Sequence, residues 1–320
     1  MTTTEKEIIL PVDREAIRAE LKPEYFLRST NNADNEIYII EAPSCPAVMR
    51  EIGRLREVSF RLAGGGTGEE LDIDDFDSAR PPYKQLVVWD PQGNEIIGGY
   101  RYMLCGDADL DDKGMPRLAT SKLFHFSPQF ISDFLPYTIE LGRSFVQPAY
   151  QPSKENRKSI FSLDNLWDGL GALTVDHPEI RYFFGKVTMY SHFNAYARDL
   201  ILFFMNRFFP DTDKLVWPIL PLHMQTPAEK LENIFDCDTF EGNYRLLMKH
   251  VREQNENIPP LFSSYMKISA TMRTFGTALN DHFGGVEETG IMVTISDIYE
   301  AKKQRHISTY RDEPLGINFK

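Results

Sequence analysis

Apolar residues recur at helical spacing early in the chain and at strand spacing soon afterwards. The stretch from Cys45 to Ala63 places five apolar residues three or four positions apart and ends at three glycines, which predicts an amphipathic helix. The runs "KQLVVWD" and "EIIGGYRYMLC" are joined by "PQGN" and predict a β-hairpin. A helix followed by two paired strands therefore begins the strongest part of the pattern.

Helical and strand patterns alternate in the next part of the chain. "PYTIELGRSFVQPAY" predicts a strand, and it is followed by a helix over 161–178, a strand over 181–190 and a helix over 194–211. A looser pattern then predicts a strand at 217–223, helices at 242–255 and 259–272, and a last strand at 290–298. This order predicts an α/β (α+β) fold with a mixed central sheet and flanking helices.

The same pattern suggests where the domain begins and ends. Residues 1–45 contain a short polar helix, a polar loop and one apolar run, and we interpret them as an N-terminal extension. The main domain is predicted at 46–300, with a core at 46–210 and a C-terminal lobe at 211–300. Residues 301–320 are polar and are interpreted as a tail.

Composition narrows the class of protein. With 320 residues and 42% hydrophobic content the chain can bury a large core, and it lacks the run of roughly 20 apolar residues that spans a membrane. The N-terminus has no signal-peptide pattern, so we expect a cytoplasmic protein. A net charge of −12 disfavours nucleic acid as a partner. The three cysteines are far apart, which favours buried free thiols and predicts no metal site.

The strand at 136–150 carries charges where a buried strand is normally apolar. Glu140 and Arg143 interrupt the apolar residues, and Gly142 lies between them. Three positions apart on a regular strand, the two side chains would face opposite sides of the sheet. A glycine inside a strand often marks a bulge, which would turn both charges to one face and splay the neighbouring strands. The alternative is that Glu140 and Arg143 form a structural ion pair.

Charged residues of neighbouring elements complete a recognisable set of motifs. The helix carries Arg56 and Phe60 as R-x-x-x-F, an acidic turn carries Asp74 and Asp77, the hairpin ends in G-x-x-R at Arg101, and the odd strand is E-x-x-R-x-x-V from Glu140 to Val146. This set resembles the acyl-homoserine-lactone synthases and, more broadly, the hemolysin-like or ornithine-lipid N-acyltransferase branch of the GNAT superfamily. The resemblance covers roughly residues 46–298 and implies the GNAT fold, with splayed strands in its central sheet.

The second half of the chain favours the lipid branch within that resemblance. "LDNLWDGLGAL", "RYFFGKVTM" and "IPPLFSSYMKISATM" are similar to the amino-acid N-acyltransferases that depend on acyl carrier protein. The resemblance implies transfer of a long fatty acyl chain to the amine of a small amino acid such as glycine or ornithine, in aminolipid biosynthesis. A lipid product also implies possible peripheral contact with a membrane. The alternatives are a signal synthase of the acyl-homoserine-lactone type and a non-catalytic, hemolysin-like acyl-binding module.

The donor is expected to be carried by a protein rather than by free coenzyme A. GNAT enzymes usually hold the coenzyme A pyrophosphate with a glycine-rich loop at a helix N-terminus, but "QPAYQPSKENRKSIFSLDNLW" contains no glycine. Lys154, Arg157 and Lys158 instead form a basic stretch that could dock an acidic acyl carrier protein. A solvated basic loop is the alternative. We expect no bound cofactor, with the phosphopantetheine thioester of the carrier protein as co-substrate.

The resemblance also suggests roles for individual residues. Glu140 is the candidate base that deprotonates the amine, with Arg143 beside it in the catalytic pair. A backbone N–H near Phe145 or Val146 would hold the oxyanion and the acyl-pantetheine thioester. Arg56 and Phe60 belong to the substrate-binding set. Two further roles stay open: Asp74 and Asp77 either bind the substrate ammonium or form a capping turn, and Arg101 either clamps the substrate carboxylate or pairs with an aspartate.

Overall fold

The computed structural model describes residues 5–151 and 161–310. The strands in this part of the chain are β1 (Phe26–Ser29), β2 (Glu36–Glu41), β3 (Lys84–Asp90), β4 (Glu95–Leu104), β5 (Phe124–Phe126), β6 (Thr138–Val146), β7 (Tyr182–Met189), β8 (Val216–Pro218), β9 (Arg273–Asn280) and β10 (Val286–Thr294). The helices are α1 (Arg14–Glu20), α2 (Pro46–Leu62), α3 (Asp75–Ser78), α4 (Ser162–Asp176), α5 (Ala195–Phe208), α6 (Ala228–Glu232), α7 (Phe240–Arg252), α8 (Pro260–Met266) and α9 (Glu300–His306).

Eight of these strands form one mixed sheet in the order β1-β2-β3-β4-β6-β7-β10-β9. All neighbours in the sheet are antiparallel except β6 and β7, which are parallel. β5 and β8 form a separate two-stranded sheet. The one parallel pair therefore lies near the middle of the large sheet, where strands from the two halves of the chain meet.

Helices cover both faces of this sheet. On one face, α4 and α5 contribute Leu170 and Leu200 to a core cluster that also contains Leu86 of β3. On the other face, Val48 and Ile52 of α2 pack in a second cluster. The apolar spacing of α2 explains this packing, although Leu62 at the end of the helix is exposed. Within the described residues, no helix has the length and apolar character needed to span a membrane.

The elements predicted from α2 to α5 are present in the predicted order, but α3 and β5, which lie among them, were not predicted. Further differences lie in the C-terminal half, where the strand expected at 217–223 is reduced to β8. The helix expected at 259–272 ends at Met266, and Arg273–Asn280 forms β9, a strand that the pattern did not indicate. The last strand begins at Val286 rather than at 290. The apolar pattern of a short stretch does not distinguish a helix from a strand. Here the pairing with β10 makes Arg273–Asn280 a strand.

The sheet crosses the boundaries drawn from the sequence. β1 and β2 come from the stretch interpreted as an extension, and β2 pairs with β3 along its whole length. β9 and β10 come from the stretch interpreted as a lobe, and β10 pairs with β7. The start of the predicted tail is a helix, and His306 of α9 bonds to Asp168 of α4. Cys45 and Cys105 are buried free thiols, whereas Cys237 is exposed.

Candidate active site

The parallel strands β6 and β7 separate halfway along their length. They pair from Thr138 and Tyr182 as far as Leu141 and Gly185, whereas β6 continues to Val146 and β7 to Met189. At the separation β6 contains a bulge, because two of its residues stand opposite the single residue Tyr100 of β4. A bulge increases local twist, so it turns β6 away from β7 while β6 stays paired to β4.

The bulge is centred on Arg143 and Ser144 rather than on the glycine that suggested it. Arg143 has a φ of 48°, in the left-handed region that non-glycine residues seldom occupy. Gly142 stays paired with Arg101, and a methyl group in place of its hydrogen would meet no heavy atom within 4 Å. The predicted distortion is therefore present, but a different residue carries the unusual backbone.

A cavity of about 510 Å³ occupies the gap between the separated strands. It reaches both faces of the sheet. The side beneath α4 and α8 is lined by Leu163, Phe183, Leu261, Tyr265, Ile291 and Val293, and we call it the apolar side. The side beneath α2 is lined by Phe60, Arg143, Lys186, Thr188, Phe283 and Glu288, and we call it the charged side. The separation of two strands thus produces one cavity with two chemically different ends.

Four of the predicted motif residues form a buried ionic cluster beside the charged side. The guanidinium Nη1 of Arg101 lies 2.6 Å from Asp74 Oδ1 and 3.2 Å from Asp77 Oδ2. Arg56 Nη1 lies 3.4 Å from the other oxygen of Asp77, and Gln85 also donates to that oxygen. Arg101 is thus a partner of the aspartates, which was one of its two open interpretations.

Arg143 joins this cluster through a residue that the sequence analysis missed. Its Nε lies 2.8 Å from Asp72 Oδ2, and its Nη2 lies 3.7 Å from Asp74 Oδ2. The guanidinium also stacks over the ring of Phe283 at 4.4 Å. Asp72 begins the acidic turn "DIDDFD", so its position next to Asp74 was an available signal. We call the set Arg56, Asp72, Asp74, Asp77, Arg101 and Arg143 the arginine–aspartate network.

Electrostatics keeps Asp74 and Asp77 ionised. Burial raises the pKa of Asp74 and of Asp77, but their arginine partners outweigh burial, and both pKa values lie below the usual range. The two residues also form a capping box at the start of α3, where Asp77 accepts from the backbone of Asp74. The capping alternative is therefore present in the structure. Asp77 is fully buried among its partners, so its predicted contact with a substrate ammonium would require those bonds to open.

Glu140 lies on β6 but does not line the cavity. One carboxylate oxygen accepts from the backbone N–H of Thr120 at 2.9 Å, and the other accepts from the hydroxyl of Tyr83. Burial and this carboxylate raise the pKa of Tyr83 well above its usual value. The ion-pair alternative for Glu140 and Arg143 is not realised, because Arg143 pairs with the aspartates. Glu140 anchors Tyr83 and the loop at Thr120, and its role as a base stays a prediction.

The remaining predicted residues fall into two groups. Phe145 and Val146 line the cavity, as expected for residues that bind the acyl-pantetheine arm, and Phe60 of the substrate-binding set lines it too. The β6 backbone approaches β4 so closely here that a side chain at Gly98 would lie 2.3 Å from the carbonyl oxygen of Phe145. Lys154, Arg157 and Lys158 lie outside the described residues, so the docking of a carrier protein there stays a prediction.

Lys186 and Glu288 form an ion pair on the charged side that the sequence analysis did not identify. Lys186 belongs to β7 and is 13% exposed, and Glu288 of β10 is fully buried. Burial lowers the pKa of Lys186 well below its usual value, and the positive charges of Arg143 and Arg101 act in the same direction. Charged residues inside "RYFFGKVTMY" and "VEETGIMV" were the available signal, since both runs otherwise resemble buried strands.

The fold and this two-ended cavity define the protein as a GNAT acyltransferase. A family model described as "Acetyltransferase (GNAT) domain" matches residues 55–157. Two glycine N(alpha)-acyltransferases are similar to nearly the whole chain. The protein from Phocaeicola vulgatus is 52% identical over 95% of this chain and 94% of its own length, and the one from Bacteroides thetaiotaomicron is 53% identical over 95% and 90%. The chain therefore belongs to the GNAT acyltransferases, in the family of these two proteins.

A solved structure, that of the AHL synthase LasI, is also similar. It aligns with a TM-score of 0.31 and 13% identity over 48% of this chain and 72% of that chain. The resemblance to GNAT acyltransferases stated from the motifs is confirmed by the family model and the two relatives.

Proposed function

We propose that the protein transfers a long fatty acyl chain from the phosphopantetheine thioester of an acyl carrier protein to the amino group of glycine. The observation that carries this proposal is the cavity that passes through the sheet between β6 and β7. An acyl donor and an amino acid differ in polarity, and they must meet at one carbonyl carbon. A cavity with one apolar end and one charged end can bind both substrates and bring them together.

The apolar side suits the acyl chain. Its lining consists of aliphatic and aromatic side chains from β7, β10, α8 and the start of α4. The volume of about 510 Å³ lies within the roughly 300–1,000 Å³ of typical ligand sites. The thioester carbonyl would then lie in the gap, where a backbone N–H near Phe145 or Val146 can stabilise the oxyanion.

The charged side suits a small amino acid. Arg143 and Lys186 place two cations where an acceptor carboxylate can bind. Phe60 and Phe283 meet edge to face at 5.2 Å and narrow this side, which favours an acceptor with little or no side chain. The name shared by the two relatives points to the same acceptor, and glycine has no side chain.

A carrier-protein donor follows from the region between β6 and α4. This region contains the basic residues Lys154, Arg157 and Lys158 and lacks the glycine-rich sequence that usually binds the coenzyme A pyrophosphate. A basic patch on a chain of net charge −12 gives an acidic carrier protein one favourable place to dock. The acylated amino acid is amphipathic, so its release implies a peripheral contact with a membrane.

The proposal is tested by supplying the purified protein with one fatty acyl chain on either acyl carrier protein or coenzyme A. Each donor is combined with a panel of free amino acids that includes glycine, alanine, serine and ornithine, and products are identified by mass spectrometry. We expect N-acylglycine as the main product and faster turnover with the carrier protein. S-adenosylmethionine is supplied as a further acceptor. An acyl-homoserine lactone formed from it, or tight fatty-acid binding with no amide, would contradict the proposal and favour the alternatives stated above.

A further inference from the structure

We propose that Glu288 is the catalytic base that removes a proton from the ammonium group of the acceptor. Lys186 is the positioning residue that holds the carboxylate of Glu288. The inference rests on the proposed N-acyl transfer and assigns its proton acceptor. It is carried by the placement of this ion pair in the wall of the charged side.

The register of the sheet aims Glu288 at the cavity. On β10 it stands opposite Thr188 of β7, which also lines the cavity. Its Oε1 accepts a hydrogen bond of 3.1 Å from the side-chain amide of Asn280, and its Oε2 contacts the ammonium of Lys186. One oxygen is thus fixed by β9, while the other is held by Lys186 in the wall of the charged side.

Other carboxylates near the gap are less suited to this task. Asp164 lines the cavity at the start of α4 and pairs with Arg305. The aspartates of the arginine–aspartate network are held by arginines, and Glu140 lies outside the cavity. Among the described residues that line the charged side, Glu288 is the one carboxylate. A general base must reach the proton that it abstracts, and this geometry selects Glu288.

Lys186 contacts the carboxylate of Glu288 and still leaves it able to accept a proton. A cation in contact with a carboxylate favours the ionised form, which is the form that can accept a proton. Burial and two nearby arginines lower the pKa of Lys186 well below its usual value, so its own positive charge is held less firmly than that of an exposed lysine. The charged groups that act on Lys186 from the packed elements are Arg101 of β4, Glu140 and Arg143 of β6, and Asp72 of the acidic turn.

The reaction balances with this assignment. One N–H bond of the acceptor ammonium breaks, and its proton moves to Glu288. The freed nitrogen lone pair then forms the C–N bond at the thioester carbonyl. As the tetrahedral intermediate collapses, the C–S bond breaks, and a second proton from nitrogen goes to the leaving sulfur. Glu288 returns its proton to solvent, so each turnover yields one amide, one thiol and one released proton.

The test is the substitution Glu288→Gln combined with two acceptors. Glutamine keeps the size of the side chain and can still accept from Asn280, but it cannot take a proton. With glycine near pH 7 we expect kcat to fall by roughly 10²- to 10⁴-fold. With aminooxyacetate, a glycine analogue whose amino group is already neutral at that pH, most of the rate should remain. The glycine reaction of the variant should also recover as pH rises and free amine accumulates.

The neighbouring residue on the strand provides a matched control. Glu287 makes a 2.8 Å ion pair with Arg198 and does not line the cavity. Glu287→Gln should therefore keep the wild-type pH profile and the wild-type rate ratio between the two acceptors. Lys186→Gln should move the acidic limb of the profile to higher pH, because it removes the cation that favours the ionised carboxylate.

The outcomes separate the base assignment from the proposed function. An equal loss with both acceptors, or no loss with glycine, would overturn the role of Glu288 while leaving the function intact. A wild-type protein that acylates no amine would overturn the function itself. If Glu288→Gln does not fold, Glu288→Asp answers the same question, since it keeps the charge and withdraws the carboxylate from the cavity. We expect that variant to be impaired with glycine and to be nearly normal with aminooxyacetate.

Discussion

Two groups of charges lie near the gap between β6 and β7, and they are built in different ways. In the arginine–aspartate network each aspartate contacts at least one arginine, and the innermost members Arg56 and Asp77 are almost completely buried. The Lys186–Glu288 pair is also buried, but both of its side chains line the cavity. Arg143 is the one member of the network that lines the cavity, whereas both members of the pair line it.

This difference separates residues that build the site from residues that can react in it. A buried ion pair resists change, because removal of one partner leaves the other charge unsolvated. In an ion pair that borders a cavity, a bound ligand can replace one of the two partners. We therefore assign a structural role to the network, which fixes Arg143 and the bulge, and a chemical role to the pair.

The largest expected effect comes from opening the network. Asp77→Ala leaves Arg56 and Arg101 buried without one of their carboxylate partners, and we expect a loss of about 3–5 kcal/mol in the free energy of unfolding. Denaturant titration monitored by circular dichroism measures this loss. Asp75→Ala, on the exposed side of the same short helix, is the control and should change stability little. Equal stability of the two variants would show that the network is not structural.

A smaller effect is expected from the glycines near the bulge. A methyl group at Gly98 would lie 2.3 Å from the carbonyl oxygen of Phe145, so Gly98→Ala should cost about 1–3 kcal/mol and reduce acyl transfer by displacing β6. The added methyl group of Gly142→Ala meets open space. The free energy of unfolding and the rate of acyl transfer should therefore both be close to those of the wild type. If Gly142→Ala were more damaging than Gly98→Ala, the essential distortion would lie at Gly142.

The network should also set the response of the protein to acid. The pKa values of Asp74 and Asp77 in the folded protein lie below those of the unfolded chain. Their contribution is therefore present above the unfolded value of about 4 and is lost as pH falls through the lower folded values. Thermal melts across this range should lose stability on acidification, and Asp74→Asn should flatten the curve. A wild-type curve that is flat below pH 4 would contradict the assignment.

The smallest effect is expected from a substitution that changes neither the arginine–aspartate network nor the Lys186–Glu288 pair. Leu163→Trp adds bulk on the apolar side, so we expect a preference for shorter acyl chains with little change in stability or in KM for glycine. Competition between long and short acyl donors, with amides quantified by mass spectrometry, measures the shift. Leu246→Trp, on a partly buried position of α7 that does not line the cavity, is the control. An unchanged chain preference would remove the apolar side from acyl binding.

The sequence could predict those parts of the site that lie on elements close together in the chain. Arg56, Asp77 and Arg101 come from a helix, the turn after it and the hairpin that follows. The resemblance of their motifs to those of GNAT acyltransferases was sufficient to group them. The bulge was predicted from Gly142, but its unusual backbone falls on Arg143, because only the pairing with Tyr100 determines where the extra residue lies.

Lys186 and Glu288 could not be grouped from the sequence. They meet because β10 returns across the sheet to pair with β7, and the register of that pairing places Glu288 beside Thr188. Local pattern also missed β9, which supplies Asn280 to fix the carboxylate. Long-range strand pairing therefore determines the reactive part of the site, whereas local motifs determine its supporting part.

A structure of the protein with an acyl chain joined to phosphopantetheine through a stable amide tests the central claim most directly. We predict that the pantetheine arm lies between β6 and β7 beyond Leu141 and Gly185, with the acyl carbons beside Leu163 and Ile291 and the amide carbonyl near Phe145. An arm bound elsewhere on the protein, with the gap between these strands unfilled, would contradict the account.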